Sequence, residues 1–274
     1  MNKRLLTIQD ISCVGQCSLT VALPVISACG VETAILPSAV LSTHTAGFKN
    51  FTFRDLTDEI PKIEAGWNKD GMRFDAFYTG YVCQAQIDPI LSIVKTCSNP
   101  GAIRIVDPVM ADNGKMYPGF GPDFPAEMRR LCNGADYILP NLTEAAFLLG
   151  RTPVLDGYDQ PFIEELVQAL VQGTGAKNVV LTGVSFSKDK LGIAAYDGVK
   201  TEYYFNDWLP QSSHGTGDVY ASVFAGAMMR GFTMLEAASL AADIVCTCIT
   251  KTPKEHWYGV CFELALPELI RRLG

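Results

Sequence analysis

The sequence predicts an α/β fold, a three-layer sandwich in which helices flank both faces of a central, mostly parallel β-sheet. Short apolar runs rich in β-prone residues alternate along the chain with amphipathic stretches, an order typical of parallel sheets covered by helices. Each apolar run leads into a polar or glycine-containing turn. The 274 residues include no linker-like stretch, low-complexity run or internal repeat, so we expect a single domain over residues 1–274.

The first predicted element is a strand at Leu5–Ile8. Ser18 stands where a side chain can cap a helix over Leu19–Cys29, and Gly30 suits the end of that helix. Further strands are predicted from apolar, β-prone composition. They are Val31–Leu36, Phe74–Tyr78, Ile103–Val106, Tyr137–Leu139 and Asn178–Leu181.

The last third of the chain begins with a predicted hairpin. Leu191–Tyr196 and Thr201–Phe205 flank Asp197-Gly198, a strong two-residue hairpin turn. Helices are then predicted, and Pro267 suits the first turn of the last one. They cover Gly217–Arg230, Met234–Thr250 and Leu266–Leu273. In open α/β sheets ligands bind beyond the carboxyl ends of the strands, so we expect function in the turns that follow the strands.

Composition and length argue against several classes of partner. The net charge of −7 disfavours nucleic acid, which normally binds a basic face. Val219–Met229 is far shorter than a membrane span, and Leu5–Ile8 is too short for a signal peptide. We therefore expect a soluble, cytoplasmic protein without a membrane partner. The nine cysteines include no CxxC pair, so we expect reduced, packed thiols and no zinc site.

The segment His214–Asp218, with the sequence HGTGD, is the sharpest functional signal. Gly215 and Gly217 allow backbone N–H groups around Thr216 to converge, and the helix predicted to follow adds its positive N-terminal end. Such a cradle suits phosphate oxygens. Asp218 would lie beside it, where a carboxylate can accept a proton from an attacking hydroxyl. The alternative is an aspartate that only favours a helix N-terminus, and this segment alone does not decide between them.

Two further motifs follow predicted strands. In DPVMAD, residues 107–112, the Asp107 carboxylate can attract hydrated Mg²⁺, and Pro108 fixes the turn that presents it. In PNLTEA, residues 140–145, Asn141 and Glu144 have the spacing of a helix capping box. These two side chains are either structural or lie near a metal-bound triphosphate. The second interpretation gains weight only alongside the other motifs.

Together these motifs resemble the ribokinase-like superfamily, and within it the pyridoxal kinases of vitamin B6. The resemblance runs nearly end to end and includes N-terminal segments similar to the substrate side of that family. These are Ile8-Gln9, Ser42-Thr43-His44-Thr45 and Thr79-Gly80-Tyr81. The resemblance implies a ribokinase-like fold, without a separate lid domain, and a homodimer. It also implies phosphoryl transfer from ATP to the 5′-hydroxymethyl group of pyridoxal, pyridoxamine or pyridoxine, with Mg²⁺ and a monovalent cation such as K⁺.

The resemblance also implies roles for single residues. Asp218 would be the general base, and the anion hole would consist of Gly215, Thr216 and Gly217. Asp107 and Glu144 would position Mg²⁺. The ATP side would comprise Asn141, Glu144, Thr182 and Asp112. The acceptor side would comprise Asp10, His44, Thr45, Tyr81 and Tyr117. For His44 a hydrogen-bonded turn, and for Tyr81 ordinary packing, remain open alternatives.

One position departs from the family pattern. Pyridoxal kinases usually carry Ser after the Ile-Gln pair, at the polar edge of the pyridine, whereas this chain has Asp10. A carboxylate there could pair with a protonated ring nitrogen or an amine. It could instead turn away and cap the Ser12–Gly15 turn. The preferred vitamer is therefore left open.

The sequence supports three other functions less well. A hydroxymethylpyrimidine kinase of thiamine synthesis shares the fold and the chemistry, but such enzymes typically carry Cys at the position of Asp218, so the sequence favours vitamin B6. A non-catalytic nucleotide- or vitamer-binding protein on the same fold would have no need of Asp218, Asp107 and Glu144 together. Dehydrogenase chemistry is poorly supported because no GxGxxG motif follows the first strand.

Overall fold

The structure is a computed structural model that describes residues 3–211 and 213–274. Strands and helices alternate from the N-terminus, as the sequence predicts. The first half contains β1 (Arg4–Val14), α1 (Leu19–Ala28), β2 (Glu32–Thr43), β3 (Phe53–Asp55), α2 (Ile60–Lys69), β4 (Phe74–Thr79), α3 (Ile87–Cys97) and β5 (Ser98–Val106).

The second half begins with a small hairpin and ends in helices. Its first elements are β6 (Ala111–Asp112), β7 (Lys115–Met116), α4 (Phe124–Cys132), β8 (Tyr137–Ile138), α5 (Leu142–Leu148) and α6 (Gln160–Thr174). They are followed by β9 (Asn178–Val184), β10 (Lys190–Tyr196), β11 (Thr201–Asp207), α7 (Thr216–Met229), α8 (Met234–Lys251) and α9 (Leu266–Leu273).

The strands form one large sheet and one small hairpin. The nine strands of the large sheet lie in the order β11-β10-β9-β8-β5-β4-β1-β2-β3, and β6 pairs with β7 apart from it. Strands β2, β1, β4, β5, β8 and β9 run parallel, whereas β3, β10 and β11 are antiparallel to their neighbours. The predicted β10–β11 hairpin is confirmed. The carboxyl ends of six strands therefore meet at one edge of the sheet.

Helices cover both faces of the sheet because side chains alternate along each strand. Leu5 of β1 packs with apolar residues of α1, α7, α8 and α9. The next residue, Leu6, packs on the opposite face with residues of α2 to α6. Ile105 and Val106 of β5 divide in the same way. The three-layer α/β sandwich predicted from the sequence is confirmed.

Two local predictions at the N-terminus were wrong. Strand β1 extends to Val14 and does not end at Ile8, because it keeps pairing with β2 after a register shift between Gln9 and Ile11. Ser18 precedes α1 but makes no side-chain cap. Its hydroxyl donates to the Asp10 carboxylate instead. The segment buries four polar residues, Gln9, Asp10, Ser12 and Ser18.

Within the described part of the chain, no helix combines the length and apolar character needed to cross a membrane.

Candidate active site

The predicted site residues follow neighbouring parallel strands. Asp10 lies in the extended end of β1, Asp107 directly follows β5, and Asn141 follows β8. Asn141 is linked by an isolated parallel bridge to Thr182 in β9. Asp218 lies in the first turn of α7. Because the strands are parallel, these residues share one edge of the sheet, where open α/β sheets bind ligands.

The N-terminus of α7 forms an open cradle of backbone N–H groups. Gly215 precedes the helix with φ 79°, a left-handed conformation that glycine adopts without strain. A Cβ atom there would lie 1.8 Å from the backbone oxygen of Gln16, so a larger residue does not fit. No side chain caps this helix, and the space beside Gly217 is open. The first backbone N–H groups of α7 are thus available to an anion.

The Asp218 carboxyl lies beside this cradle and is partly buried. Its burial raises the pKa to about 7, while the backbone N–H of Ser18 acts in the opposite direction and the charge of Asp10 adds to the increase. A carboxylate with a pKa near neutrality is well matched to general-base catalysis at physiological pH.

Two further carboxyls, Asp107 and Glu144, are buried nearby. Burial and the charges of Glu144 and Asp218 hold the pKa of Asp107 well above its usual range. Burial likewise raises the pKa of Glu144 to about 8, against hydrogen bonds from backbone amides. Those amides belong to Met110, at 3.1 Å, and Asn141, at 3.0 Å.

The two carboxyls differ in their freedom to bind a cation. Both oxygens of Glu144 already accept backbone hydrogen bonds, and Glu144 forms the predicted capping box with Asn141. Among the described residues no group donates a hydrogen bond to the Asp107 carboxylate. An acidic oxygen without a donor, next to two other carboxyls, fits a hydrated Mg²⁺ ion, which takes one or two carboxylates and completes its shell with water and phosphate.

Asp10, in the extended end of β1, is 5% exposed and accepts hydrogen bonds from two hydroxyls. Ser18 Oγ donates to it at 2.6 Å and Ser12 Oγ at 3.0 Å. Burial raises the pKa of Asp10 despite these bonds. Burial also raises the pKa of the Tyr81 hydroxyl, and the nearby charge of Asp10 adds to that increase. Asp10 therefore lies among Tyr81, Asp218 and His44.

His44 is a hydrogen-bonded residue of a turn, one of the two predicted alternatives. Its Nδ1 accepts from the backbone N–H of Ala46 at 3.1 Å. Its Nε2 lies 2.7 Å from the backbone oxygen of Tyr258, so Nε2 carries the proton. Both ring nitrogens are thus engaged in the neutral form. Burial lowers the pKa of His44, which favours that form.

The contact with Tyr258 reveals an element that the sequence analysis missed. The loop between α8 and α9, residues 252–261, is here called the C-terminal strap. Its Val260 N–H donates to the backbone oxygen of His214 at 3.1 Å. The Trp257 ring packs against Phe48, with centroids 4.8 Å apart. The strap thereby connects the loop after β2 to the segment that precedes α7.

The other predicted residues lie around this arrangement. Thr45 is exposed in the loop after β2, and Tyr81 packs against Phe120 with ring centroids 5.2 Å apart. Asp112 is exposed and accepts hydrogen bonds from Asn113 at the tip of the β6–β7 hairpin. Tyr117 follows this hairpin, and burial, then the charges of Glu144 and Asp112, raise its pKa.

Comparison with known proteins identifies the family. A sequence profile described as phosphomethylpyrimidine kinase matches residues 21–259, most of the chain. The chain belongs to this family. A pyridoxal kinase from Lactobacillus plantarum is 32% identical, with a TM-score of 0.90, over 98% of this chain and 97% of that one. The chain therefore also belongs with the vitamin B6 kinases of the ribokinase-like superfamily, as the motifs predict.

Two other relatives lie in the same group. A candidate phosphomethylpyrimidine kinase from Bacteroides thetaiotaomicron, in a crystal form with pyridoxal, is 34% identical, with a TM-score of 0.91, over 98% of this chain and 96% of that one. The pyridoxal kinase of Dictyostelium discoideum is 28% identical over 253 residues, which cover 84% of this chain and 80% of that protein.

Some residues around the candidate site had no local signal in the sequence. Ser18 has the residue type and position of an ordinary N-cap. Only the structure shows, by its backbone angles and its hydrogen bond to Asp10, that it does not cap α1. Tyr258 acts through its backbone oxygen, which any residue supplies. Gln16 lies in close contact with Gly215 and Gly259. In the sequence, the two glycines are the sign of that close approach.

Proposed function

We propose that this protein is an ATP-dependent kinase that phosphorylates the 5′-hydroxymethyl group of a B6 vitamer. The observation that carries the proposal is the partly buried Asp218 carboxyl, with a pKa of about 7, beside the uncapped N-terminus of α7. A base and an anion cradle side by side are what phosphoryl transfer to a hydroxyl requires. The pyridoxal kinases among the relatives support a vitamin B6 acceptor.

In the proposed mechanism Asp218 accepts the proton of the acceptor hydroxyl while the oxygen attacks the γ-phosphorus of ATP. The bond between that phosphorus and the β,γ-bridging oxygen breaks, and ADP leaves. Backbone N–H groups of Gly215, Thr216 and Gly217 stabilise the charge on the transferring phosphoryl oxygens. Asp218 then releases its proton to water. Because the transition state is loose, positioning and charge stabilisation account for most of the rate.

On the nucleotide side, Asn141, Thr182 and Asp112 would line the ATP phosphates. Asp107 would hold Mg²⁺, with Glu144 acting through water because both of its oxygens already accept backbone N–H groups. The metal ion would supply charge neutralisation on the triphosphate. On the acceptor side Tyr81 and Thr45 would contact the ring, and Tyr117 would close the site from the segment after the β6–β7 hairpin.

Hydroxymethylpyrimidine phosphorylation is the second candidate activity, because the matching family profile carries the description phosphomethylpyrimidine kinase. Asp218 favours the B6 vitamers over it. The test is a coupled ADP-release assay with pyridoxal, pyridoxamine, pyridoxine and hydroxymethylpyrimidine in parallel, each product identified by mass spectrometry. We expect kcat/KM to be highest for a B6 vitamer. A higher kcat/KM for hydroxymethylpyrimidine would replace the proposal with the second activity, and ADP release with none of the four would overturn both.

A further inference from the structure

Asp10 is a buried carboxylate without a cationic partner. Among the described residues no lysine or arginine pairs with it. The ionisable groups near it are His44, which is neutral, together with Tyr81, Cys17 and Asp218. A buried carboxylate in such surroundings is costly unless it is compensated. Among the described residues, its surroundings supply two hydroxyl donors and no positive charge.

Ser18, whose hydroxyl is one of those donors, has an unusual backbone conformation. Its angles are φ 56° and ψ −135°, a combination that glycine tolerates and other residues rarely adopt. Only Asn113 shares a positive φ among the described residues other than glycine. Ser18 also stands at the N-cap of α1, yet its hydroxyl does not cap the helix. It points to Asp10 at 2.6 Å.

These contacts argue against a purely structural role for Asp10. A cap of the Ser12–Gly15 turn would need hydrogen bonds from the backbone N–H groups of that turn to the carboxylate. The carboxylate instead accepts the Ser12 and Ser18 hydroxyls. A strained residue, a helix left without its cap and a buried carboxylate are together costly for stability, and such costs are typical of functional sites.

We propose that Asp10, held by Ser12 and Ser18, recognises an ammonium group on the acceptor and so selects pyridoxamine over uncharged vitamers. This inference rests on the proposed function. Asp218 would face the 5′-hydroxymethyl group of the acceptor, and the aminomethyl substituent lies on the adjacent ring carbon. Pyridoxine carries a hydroxymethyl group at that carbon, so the two vitamers differ in charge at similar size. Ser18 is a positioning residue in this account, because it acts through Asp10.

The experiment compares kcat/KM for pyridoxamine and pyridoxine in wild type, Asp10→Asn and Ser18→Gly. Asn keeps the shape of the side chain but removes its charge, and Gly suits the backbone of position 18. Wild type should prefer pyridoxamine. Asp10→Asn should lower the pyridoxamine-to-pyridoxine ratio about tenfold, and Ser18→Gly by about threefold, through the KM of pyridoxamine and not that of ATP. Ser27→Ala removes a hydroxyl from α1, the helix that follows Ser18, and should leave the ratio unchanged.

An unchanged ratio in Asp10→Asn overturns the inference, even if both rates fall, because equal losses mean that the carboxylate does not sense the substituent. Circular dichroism of each variant checks that it is folded. If wild type phosphorylates neither vitamer, the proposed function fails by itself. The inference is then decided by the dissociation constants of pyridoxamine and pyridoxine, measured by calorimetry, and equal constants in wild type overturn it.

Discussion

Three carboxyls, Asp107, Glu144 and Asp218, define the chemistry of the site at the scale of single residues. Burial is the largest cause that raises the pKa of each, and the charge of a nearby acid adds to the increase. Among the described residues none of the three pairs with a lysine or arginine. In the proposed function, a metal ion and the proton of the acceptor would balance this negative charge.

The first prediction concerns the pH dependence of catalysis. Asp218 must be deprotonated to act as a base, and burial raises its pKa to about 7. The kcat/KM for the acceptor should therefore fall about tenfold per pH unit below about pH 7, whereas an unperturbed aspartate would keep activity down to about pH 4. The measurement is a kcat/KM profile from acid to alkaline pH with coupling enzymes in excess. A profile that stays flat down to pH 5.5 would exclude this role.

The second prediction concerns stability. A carboxyl whose folded pKa is raised stabilises the fold at pH values below its unfolded pKa, and this contribution is lost as the pH rises through the folded pKa. Asp107 belongs to this class. Asp107→Asn should therefore raise the free energy of unfolding of the ligand-free protein at pH 8 by more than about 0.5 kcal/mol, with a smaller gain at pH 5.

Denaturant unfolding at the two pH values measures this gain, with the exposed Asp156→Asn as the matched control. Asp156 is exposed in the loop before α6. A gain of the same size in both variants, or none in Asp107→Asn, would mean that Asp107 carries no buried charge.

Part of this site could be predicted from residue types. The rest depends on backbone conformation, which the sequence does not show. Asp218, Asp107 and Glu144 were predicted as site residues because their motifs occur together as in the family that the chain resembles, whereas Asp218 and Glu144 taken alone also suited structural roles at helix N-termini. The structure brings these three together, as expected. Ser18 was misassigned because the same residue type caps helices and positions carboxylates, and only φ and ψ distinguish the two roles.

At the scale of elements, the residue that caps α5 also contacts the β6–β7 hairpin. Asn141 caps it by accepting the Glu144 N–H at 2.9 Å. The amide of the same side chain donates to the backbone oxygen of Ala111 at 2.9 Å and so holds the β6–β7 hairpin. A single side chain thereby fixes the start of a helix and the position of a loop that would cover the phosphates.

The third prediction uses two capping boxes of the same kind. Asn141 with Glu144 begins α5, and Thr233 with Glu236 begins α8, away from the site. Asn141→Ala and Thr233→Ala should each lower the free energy of unfolding by about 0.5–2 kcal/mol. Only Asn141→Ala should also raise the KM of ATP, because it releases the hairpin. Denaturant unfolding and initial rates measure both effects, and an unchanged KM in Asn141→Ala would make that cap purely structural.

Elements with local signals were predicted well. The Asp197-Gly198 hairpin and the α5 capping box depend on neighbouring residues, and both formed as expected. The end of β1 was not predicted, because Gln9 and Asp10 are polar and pairing with β2 is a long-range interaction. The strap contacts were also missed, since Tyr258 and His44 are joined across more than two hundred residues of chain.

At the scale of the whole molecule, the strand order divides the residues of the candidate site into two groups. Strands β1 and β4 lie side by side; Asp10 lies in the extended end of β1 and Tyr81 follows β4, and these residues are proposed to face the acceptor. Strands β5, β8 and β9 lie next to them; Asp107 follows β5, Asn141 follows β8 and Thr182 lies in β9, and these residues are proposed to face the nucleotide. The N-terminus of α7 brings Asp218 to the acids of both sides. In the proposed function, Asp218 would therefore act as the base where the acceptor side and the nucleotide side meet.

The fourth prediction follows from the charge of the whole site. A net charge of −7 and three clustered acids repel a triphosphate unless a cation intervenes. Turnover should therefore require Mg²⁺ and stop in excess EDTA. Asp107→Ala should raise the Mg²⁺ concentration needed for half-maximal rate by about tenfold, as expected for the loss of one carboxylate from the metal's surroundings. A superimposable Mg²⁺ titration in that variant would remove Asp107 from the neighbourhood of the metal.

The central claim is that Asp218 is the base of a B6 vitamer kinase, and the most direct measurement is the turnover of Asp218→Asn with the best acceptor. Asn has nearly the same shape but cannot accept the proton. We expect kcat to fall by on the order of a hundredfold or more, with the fold and the dissociation constant of ATP unchanged. A kcat close to that of wild type would contradict the account.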